Sequence, residues 1–203
     1  GEFELDEVTT RILQITPDLV LVTDCDGGIA IISLSKSKIV HQYKMSVFAN
    51  FKHSSDFYGI MDIKKMEEAE NEYAVATSKG LFFVDLDQDT LNDNYSIKEN
   101  RQELYLIGKW VLNVVEFRKG MLALCMGEDP LFVQVISRQL KQVLRAIKNP
   151  QGNKYTSQML PIFSRDSQEE DQAVTPVVLV RDTKNITVVD VESGHTNVLI
   201  HSQ

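Results

Sequence analysis

The sequence is poor in cysteine and has no long apolar run, and each absence excludes a class of protein. Only Cys25 and Cys125 occur in 203 residues, too few for the disulfide framework of a small secreted domain. No apolar stretch approaches the ~18 residues that a membrane-spanning helix requires, and the acidic N-terminus has no signal-peptide pattern. We therefore expect both thiols to pack as small buried side chains, in a protein of the cytosol or nucleus.

Positive charge is also scarce. The chain has 21 Lys and Arg residues against 29 Asp and Glu residues, which gives a net charge of −8 at pH 7. Nucleic acids and anionic membranes both select proteins with clustered basic side chains. Neither is therefore expected as a partner, whereas the acidic balance favours solubility and, weakly, basic partners.

The residue patterns of common catalytic and metal sites are missing. The sequence contains no P-loop, no GxSxG nucleophile elbow and no CxxC pair. Asp24, Asp26 and Asp56 imitate a carboxylate site, but Asp is so common in turns that we interpret them as turn residues. The histidines do not fall at zinc-ligand spacing; they are His41, His53, His195 and His201. The sequence thus predicts no metal, no cofactor and no enzyme activity.

One pattern occurs four times: an apolar strand, a short polar turn and a second apolar strand. The second strands begin at Ile29, Leu81, Leu131 and Ile186, which matches the repeat of about 40–50 residues in propeller blades. A further strand precedes and follows each hairpin. The sequence therefore predicts an all-β chain of four four-stranded antiparallel units, whose approximate ranges are 8–45, 57–100, 110–149 and 155–203.

Two features of these units can be compared directly with a structure. The segment Arg138–Lys148 has apolar residues at helical spacing, but we predict a strand there because the repeat requires one. Central strands are nearly continuous apolar runs, which indicates burial on both faces. Eight residues are predicted to be almost fully buried: Val22, Ile31, Val75, Phe83, Leu124, Val133, Leu179 and Val188.

The hairpin Asp26–His41 resembles the WD40 repeat, in which an Asp-Gly turn and an apolar strand lead to a Trp-Asp dipeptide. Ile32-Ser33 stands at the Trp-Asp position, Val84-Asp85 and Val189-Asp190 keep the Asp, and Val135-Ile136 keeps neither residue. The resemblance is one of pattern and period, and it covers essentially the whole chain. It implies the blades of a β-propeller, complete or part of a larger ring, that acts as a non-enzymatic scaffold for proteins or peptides.

The resemblance leaves two other functions open. The chain could be a half-propeller that completes a ring with another chain, or a propeller-type binder of a small molecule. Gly1-Glu2-Phe3 has no initiator Met and looks like a cloning or cleavage remnant, so we expect natural sequence upstream. An open array would expose apolar end faces, and we expect self-association or additional blades from missing sequence to cover them. The residues of these faces would be Ile12, Leu13 and Val20 at one end, and Val188, Val189 and Val198 at the other.

The segment 164–175 is polar, acidic and free of large apolar residues. Such a composition predicts a flexible loop inserted between two strands. Within it, Ser167 precedes Gln168-Glu169-Glu170-Asp171, a pattern that resembles an acidic-directed kinase site. Ser167 is therefore a candidate for phosphorylation.

Overall fold

A computed structural model describes residues 8–48, 59–67, 69–89, 94–100, 105–127, 131–148, 156–162, 177–182 and 185–201. Within these residues the only helical segment is a 3-10 turn, Ser46–Phe48, and all other regular structure is strand. The prediction of an all-β chain is confirmed. No helix in the described ranges is long and apolar enough to cross a membrane.

The described strands form four antiparallel four-stranded sheets, and the strands of each sheet lie in chain order. The first sheet comprises β1 (Thr9–Gln14), β2 (Leu19–Asp24), β3 (Gly28–Ser33) and β4 (Lys38–Lys44). The second comprises β5 (Ile60–Lys65), β6 (Glu72–Thr77), β7 (Gly80–Asp89) and β8 (Asn94–Glu99). The third comprises β9 (Val111–Arg118), β10 (Met121–Met126), β11 (Leu131–Ser137) and β12 (Gln142–Lys148). The fourth comprises β13 (Thr156–Ile162), β14 (Val177–Asp182), β15 (Asn185–Asp190) and β16 (Thr196–His201).

The chain divides into two compact units. The first unit (Gly1–Lys65 and Ala69–Gly108) holds the first two sheets, and the second unit (Met66–Glu68 and Lys109–Gln203) holds the last two. In each unit the two sheets pack around an apolar core. Their first strands are neighbours, β1 beside β5 in one unit and β9 beside β13 in the other.

The four sheets share one register between their second and third strands. In each sheet, the first residue of the second strand pairs with the sixth or seventh residue of the third strand, which stands at the Asp position of the Trp-Asp dipeptide. These pairs are Leu19↔Ser33, Glu72↔Asp85, Met121↔Ser137 and Val177↔Asp190. This register defines which positions of the four sheets are equivalent.

The register corrects the WD40 comparison in the third sheet. The dipeptide at the Trp-Asp position is Ile136-Ser137, one residue beyond the predicted Val135-Ile136. The offset arises because β11 has seven residues where β3 and β15 have six. The third sheet therefore has a serine where the first sheet also has one, Ser33.

The predicted strand in Arg138–Lys148 is confirmed, because β12 pairs with β11. A register shift follows the pair Val135↔Arg145, and Val143 pairs with Ile136, so that Leu144 is the extra residue of a β-bulge. The bulge breaks the alternation of side chains along the strand, which explains the helix-like spacing of its apolar residues.

Six of the eight predicted core residues are buried, and only Leu179 and Val188 are not. Leu179 pairs with Val188, so both lie on the same face of the fourth sheet. Val178, Val180 and Val189 lie on the opposite face and belong to the core of the second unit. The first face is not part of that core, and its residues Leu179 and Val188 are half-buried.

The predicted end faces are correct in part. Ile12 is exposed, and Val20, Val188 and Val198 are half-buried. Leu13 instead packs against the core of the first unit, and Val189 is fully buried. Both errors are one-residue errors of alternation, since neighbouring residues of a strand point to opposite faces.

Candidate functional site

Several carboxylates in the described part of the chain accept hydrogen bonds from backbone N–H groups and so stabilise turns. Asp24 Oδ1 accepts the N–H groups of Asp26 (2.8 Å) and Gly28 (2.7 Å) and closes the β2–β3 hairpin. Asp26 Oδ2 lies 3.8 Å from Nζ of Lys44. The interpretation of Asp24 and Asp26 as turn residues is therefore confirmed, whereas Asp56 lies outside the described residues. No group of three or more metal-ligating side chains occurs in the described ranges.

Three of the sheets cap the turn between their third and fourth strands in the same way. The side-chain oxygen at the Trp-Asp position accepts the N–H of the residue three positions later. The three hydrogen bonds are Lys36 N–Ser33 Oγ (3.2 Å), Leu140 N–Ser137 Oγ (3.2 Å) and Ser193 N–Asp190 Oδ1 (3.1 Å). A left-handed residue follows in each turn: Ser37, Lys141 and Gly194. These oxygens are engaged in forming turns, which is a structural role.

Asp18 adds a second carboxylate to the turn of the first sheet. Its Oδ1 accepts the N–H of Ser35 at 2.6 Å, and its Oδ2 accepts the hydroxyl of Ser33 at 2.9 Å. These bonds, led by the Ser35 N–H, lower the pKa of Asp18 below its ordinary value. The pKa of Asp190 is lowered in the same way, chiefly by the hydroxyl of Ser193. Both carboxyls are thus ionised at neutral pH and do not suit a general acid.

A different kind of surface lies on β12, the outermost strand of the third sheet. Every residue of β12 except Ile147 is exposed. The strand and its preceding turn carry apolar and basic side chains side by side. We call this set the β12 surface: Leu140, Lys141, Val143, Leu144, Arg145 and Lys148. The exposed fraction of the side chain is 59% for Leu140, 42% for Val143 and 43% for Leu144.

The β12 surface is also distinctive in charge. Between Arg138 and Lys148 the sequence has four basic residues and no acidic one, in a chain whose net charge is −8. β12 pairs with β11 along one edge, and no strand of the described chain pairs with its other edge. The outer edge therefore offers main-chain N–H and C=O groups as well as apolar and basic side chains.

The fourth sheet fixes one side of this surface. Nη1 of Arg145 donates to the carbonyl of Ser193 at 2.8 Å, and Arg118 forms an ion pair with Glu192. Gly194 lies so close that an added Cβ would come within 3.1 Å of Nη1 of Arg145. The turn Glu192–Gly194 thus orients Arg145 and leaves Lys141 and Lys148 exposed.

Sequence reasoning did not identify this surface. In the first sheet, the bulged position equivalent to Leu144 is Val40, which packs against the core of its unit. Leu144 is exposed instead. The usable signal was a run of basic residues without acidic neighbours in an acidic chain. The helix-like spacing of apolar residues in the same segment indicates only a choice between helix and strand, and says nothing about exposure. Ser167, the proposed phosphorylation site, lies outside the described residues.

Comparison with known proteins identifies the fold. No family model and no curated protein matches the chain. Among solved structures, the β-propeller domain of Cps50 (Swd1) from Myceliophteria thermophila is similar, with a TM-score of 0.58 at 12% sequence identity. The match covers 96% of this chain and 54% of that one, so the chain spans about half the length of that propeller. The fold is that of a β-propeller, as the sequence pattern predicted.

Proposed function

We propose that the protein is a non-enzymatic interaction scaffold, and that its β12 surface binds an acidic, apolar segment of another protein. The observation that carries the proposal is the exposure of Leu140, Val143 and Leu144 beside Lys141 and Lys148. Exposed apolar residues that cluster on a soluble protein mark interaction sites more often than scattered ones do. The basic side chains specify the charge of the partner.

The surface favours an extended partner that docks mainly through its side chains. The bulge at Leu144 interrupts the regular strand edge, so a long main-chain ladder with β12 is disfavoured. Apolar side chains of the partner would cover Leu140 and Val143. Carboxylates of the partner would pair with Lys141 and Lys148, where such pairs add on-rate and orientation more than affinity.

The hydrogen bonds of the carboxylates support the non-enzymatic part of the proposal. Asp24 and Asp190 accept backbone N–H groups of their own turns, and Asp18 accepts the Ser35 N–H of the turn after β3. All three carboxylates therefore have structural roles. Asp62, although buried, accepts the guanidinium of Arg11 at 3.0 Å. These interactions support a scaffold over a propeller that binds or transforms a small molecule.

Fluorescence anisotropy with labelled extended peptides tests the proposal. Three peptides of equal length are compared: one acidic and apolar, one acidic and polar, and one neutral and apolar. Only the first is expected to bind well, and its affinity should fall as salt rises. Reversing two exposed charges in Lys141→Glu/Lys148→Glu should weaken binding about tenfold, equivalent to ~1.4 kcal/mol.

Lys38→Glu/Lys44→Glu is the matched control. Both lysines are exposed residues of β4, the outermost strand of the first sheet. This variant should bind the acidic, apolar peptide as the wild type does. Equal loss in both double variants, or equal binding of both acidic peptides, would show an unspecific charge effect and contradict the proposal.

A further inference from the structure

The first and fourth sheets each have one face with apolar side chains that are more exposed than the equivalent side chains inside the two units. We call the face that the first sheet turns towards the second, and its equivalents, the trailing face. We call the opposite face, with which the second sheet meets the first, the leading face. Inside each unit a trailing face packs on a leading face, the first sheet on the second and the third on the fourth. The leading face of the first sheet and the trailing face of the fourth take no part in these two cores.

The trailing face of the fourth sheet has apolar residues where the first sheet has core residues. Leu160 pairs with Leu179 as Leu13 pairs with Leu21, and Val188 is the equivalent of Ile31. Leu21 and Ile31 are buried in the core of the first unit, and Leu13 packs against it. Leu160 is 51% exposed, whereas Leu179 and Val188 are half-buried.

Two residues of the leading face of the first sheet, Ile12 and Leu34, show the same contrast, whereas Val22, Ala30 and Ile32 on that face are buried. Ile12 is equivalent to Ile63 and Met159, since each pairs with the matching residue of its second strand. Ile12 is 70% exposed, whereas Ile63 is 5% and Met159 is 2% exposed. Leu34 comes directly after Ser33, as Leu86 comes after Asp85 and Val191 after Asp190, so the three positions are equivalent. Leu34 is 48% exposed, and the other two are each 1% exposed.

We propose that two copies of this chain associate head to tail, with the trailing face of the fourth sheet of one copy on the leading face of the first sheet of the other. The chain already contains this kind of contact twice, with apolar residues at the same register positions. Every copy carries the two faces that a third contact of this kind needs. Leu160 and Leu179 lie on the trailing face of the fourth sheet, and Ile12 and Leu34 lie on the leading face of the first. A second copy therefore supplies what each face needs.

One head-to-tail contact between two copies joins one face of each kind, so the two partners contribute different surfaces. Such a contact removes exposed apolar side chains of both copies from water, which soluble proteins favour.

Sedimentation equilibrium of the whole 203-residue chain tests the proposal. At micromolar concentration we expect a species of twice the 23.0 kDa chain mass that dissociates on dilution. Ile12→Glu and Leu160→Glu should each weaken association at least tenfold, and circular dichroism with thermal melting checks that both variants fold. When the two variants are mixed, association should return in part. The unaltered trailing face of Ile12→Glu can still pack on the unaltered leading face of Leu160→Glu.

The controls separate this inference from the proposed function. Ile107→Glu alters a residue as exposed as Ile12 that lies on neither face, and should associate normally. The same holds for Lys141→Glu/Lys148→Glu, which impairs only peptide binding. A 23.0 kDa monomer at every concentration would overturn the inference. Loss in Leu160→Glu alone, without recovery on mixing, would show that two fourth sheets pair symmetrically and would overturn it as well.

Discussion

At the scale of the single residue, Asp18 illustrates what the acidic side chains of this protein do. Its carboxylate joins the turn before β2 to the turn after β3 through Ser33 and Ser35. The bonds favour the ionised form, so the pKa of Asp18 lies below its ordinary value of 3.8. Since the pKa is lower in the folded than in the unfolded chain, the carboxyl stabilises the fold above that ordinary value. The contribution is lost as the pH falls through the folded pKa.

We expect Asp18→Asn to lower the free energy of unfolding at neutral pH, and the difference from the wild type to shrink at acidic pH. Urea unfolding at several pH values measures the difference. Asp87→Asn is the control, because Asp87 is an exposed residue whose ion pair with Lys98 spans 3.7 Å and should contribute little. A difference for Asp18→Asn that does not change with pH would contradict the role of its ionised carboxylate.

Phe83 gives a second prediction at this scale. It is fully buried in the second sheet and meets Tyr105 edge-to-face, with ring centroids 6.0 Å apart. Phe83→Ala should cost roughly 3–5 kcal/mol of unfolding free energy, because it removes a buried ring and leaves a cavity. Ile107→Ala, at an exposed position of the same unit, should change stability by less than about 0.5 kcal/mol. Urea denaturation compares the two, and a loss below about 1 kcal/mol for Phe83→Ala would place the ring in solvent.

At the scale of the element, a buried carboxylate supports the turn between β9 and β10. Glu116 accepts the N–H of Gly120 at 2.9 Å with one oxygen and the N–H of Glu67 at 2.7 Å with the other. Glu116→Ala would leave the buried Gly120 N–H without this acceptor, at a cost of about 1–3 kcal/mol. Glu116→Gln keeps one acceptor oxygen and should lose less. Thermal melts rank the two variants, and equal stability of Glu116→Ala and wild type would refute the assignment.

Strand positions and strand faces were not equally predictable from the sequence. Runs such as Leu19–Val22 and Ile29–Ile32 show where central strands lie, because burial on both faces makes them apolar throughout. The same continuity hides which residues face which neighbour, so Leu179 and Val189 were assigned to the wrong faces. The extra residue in β11 and the bulge at Leu144 depend on pairing between strands, which no single segment records.

The candidate site was less predictable than the fold for a related reason. Its apolar residues, Leu140, Val143 and Leu144, look like core residues in the sequence, and only the sheet order shows that β12 is an outer strand. Exposure depends on what packs against a strand, and Val40 at the equivalent position is covered in its own unit. A repeat pattern predicts equivalent strands, but it does not predict which copies are covered.

At the scale of the whole molecule, a β-propeller fold carries the β12 surface, for which we propose a binding function. Each unit is a pair of sheets with its own core, and Asp and Ser side chains hold several of the turns between their strands. Such a fold presents rigid surfaces to partners. The function then depends on the surface side chains that this framework holds in place.

The most direct test of this claim is amide chemical-shift mapping of the isotope-labelled chain during titration with the acidic, apolar peptide. We predict that the perturbed amides cluster in Arg138–Lys148 and in the adjoining turn Glu192–Gly194. Amides of the Asp24–Gly28 hairpin should stay in place. Perturbations centred on that hairpin or on the first strands of the sheets, or no perturbation at any attainable peptide concentration, would contradict the account.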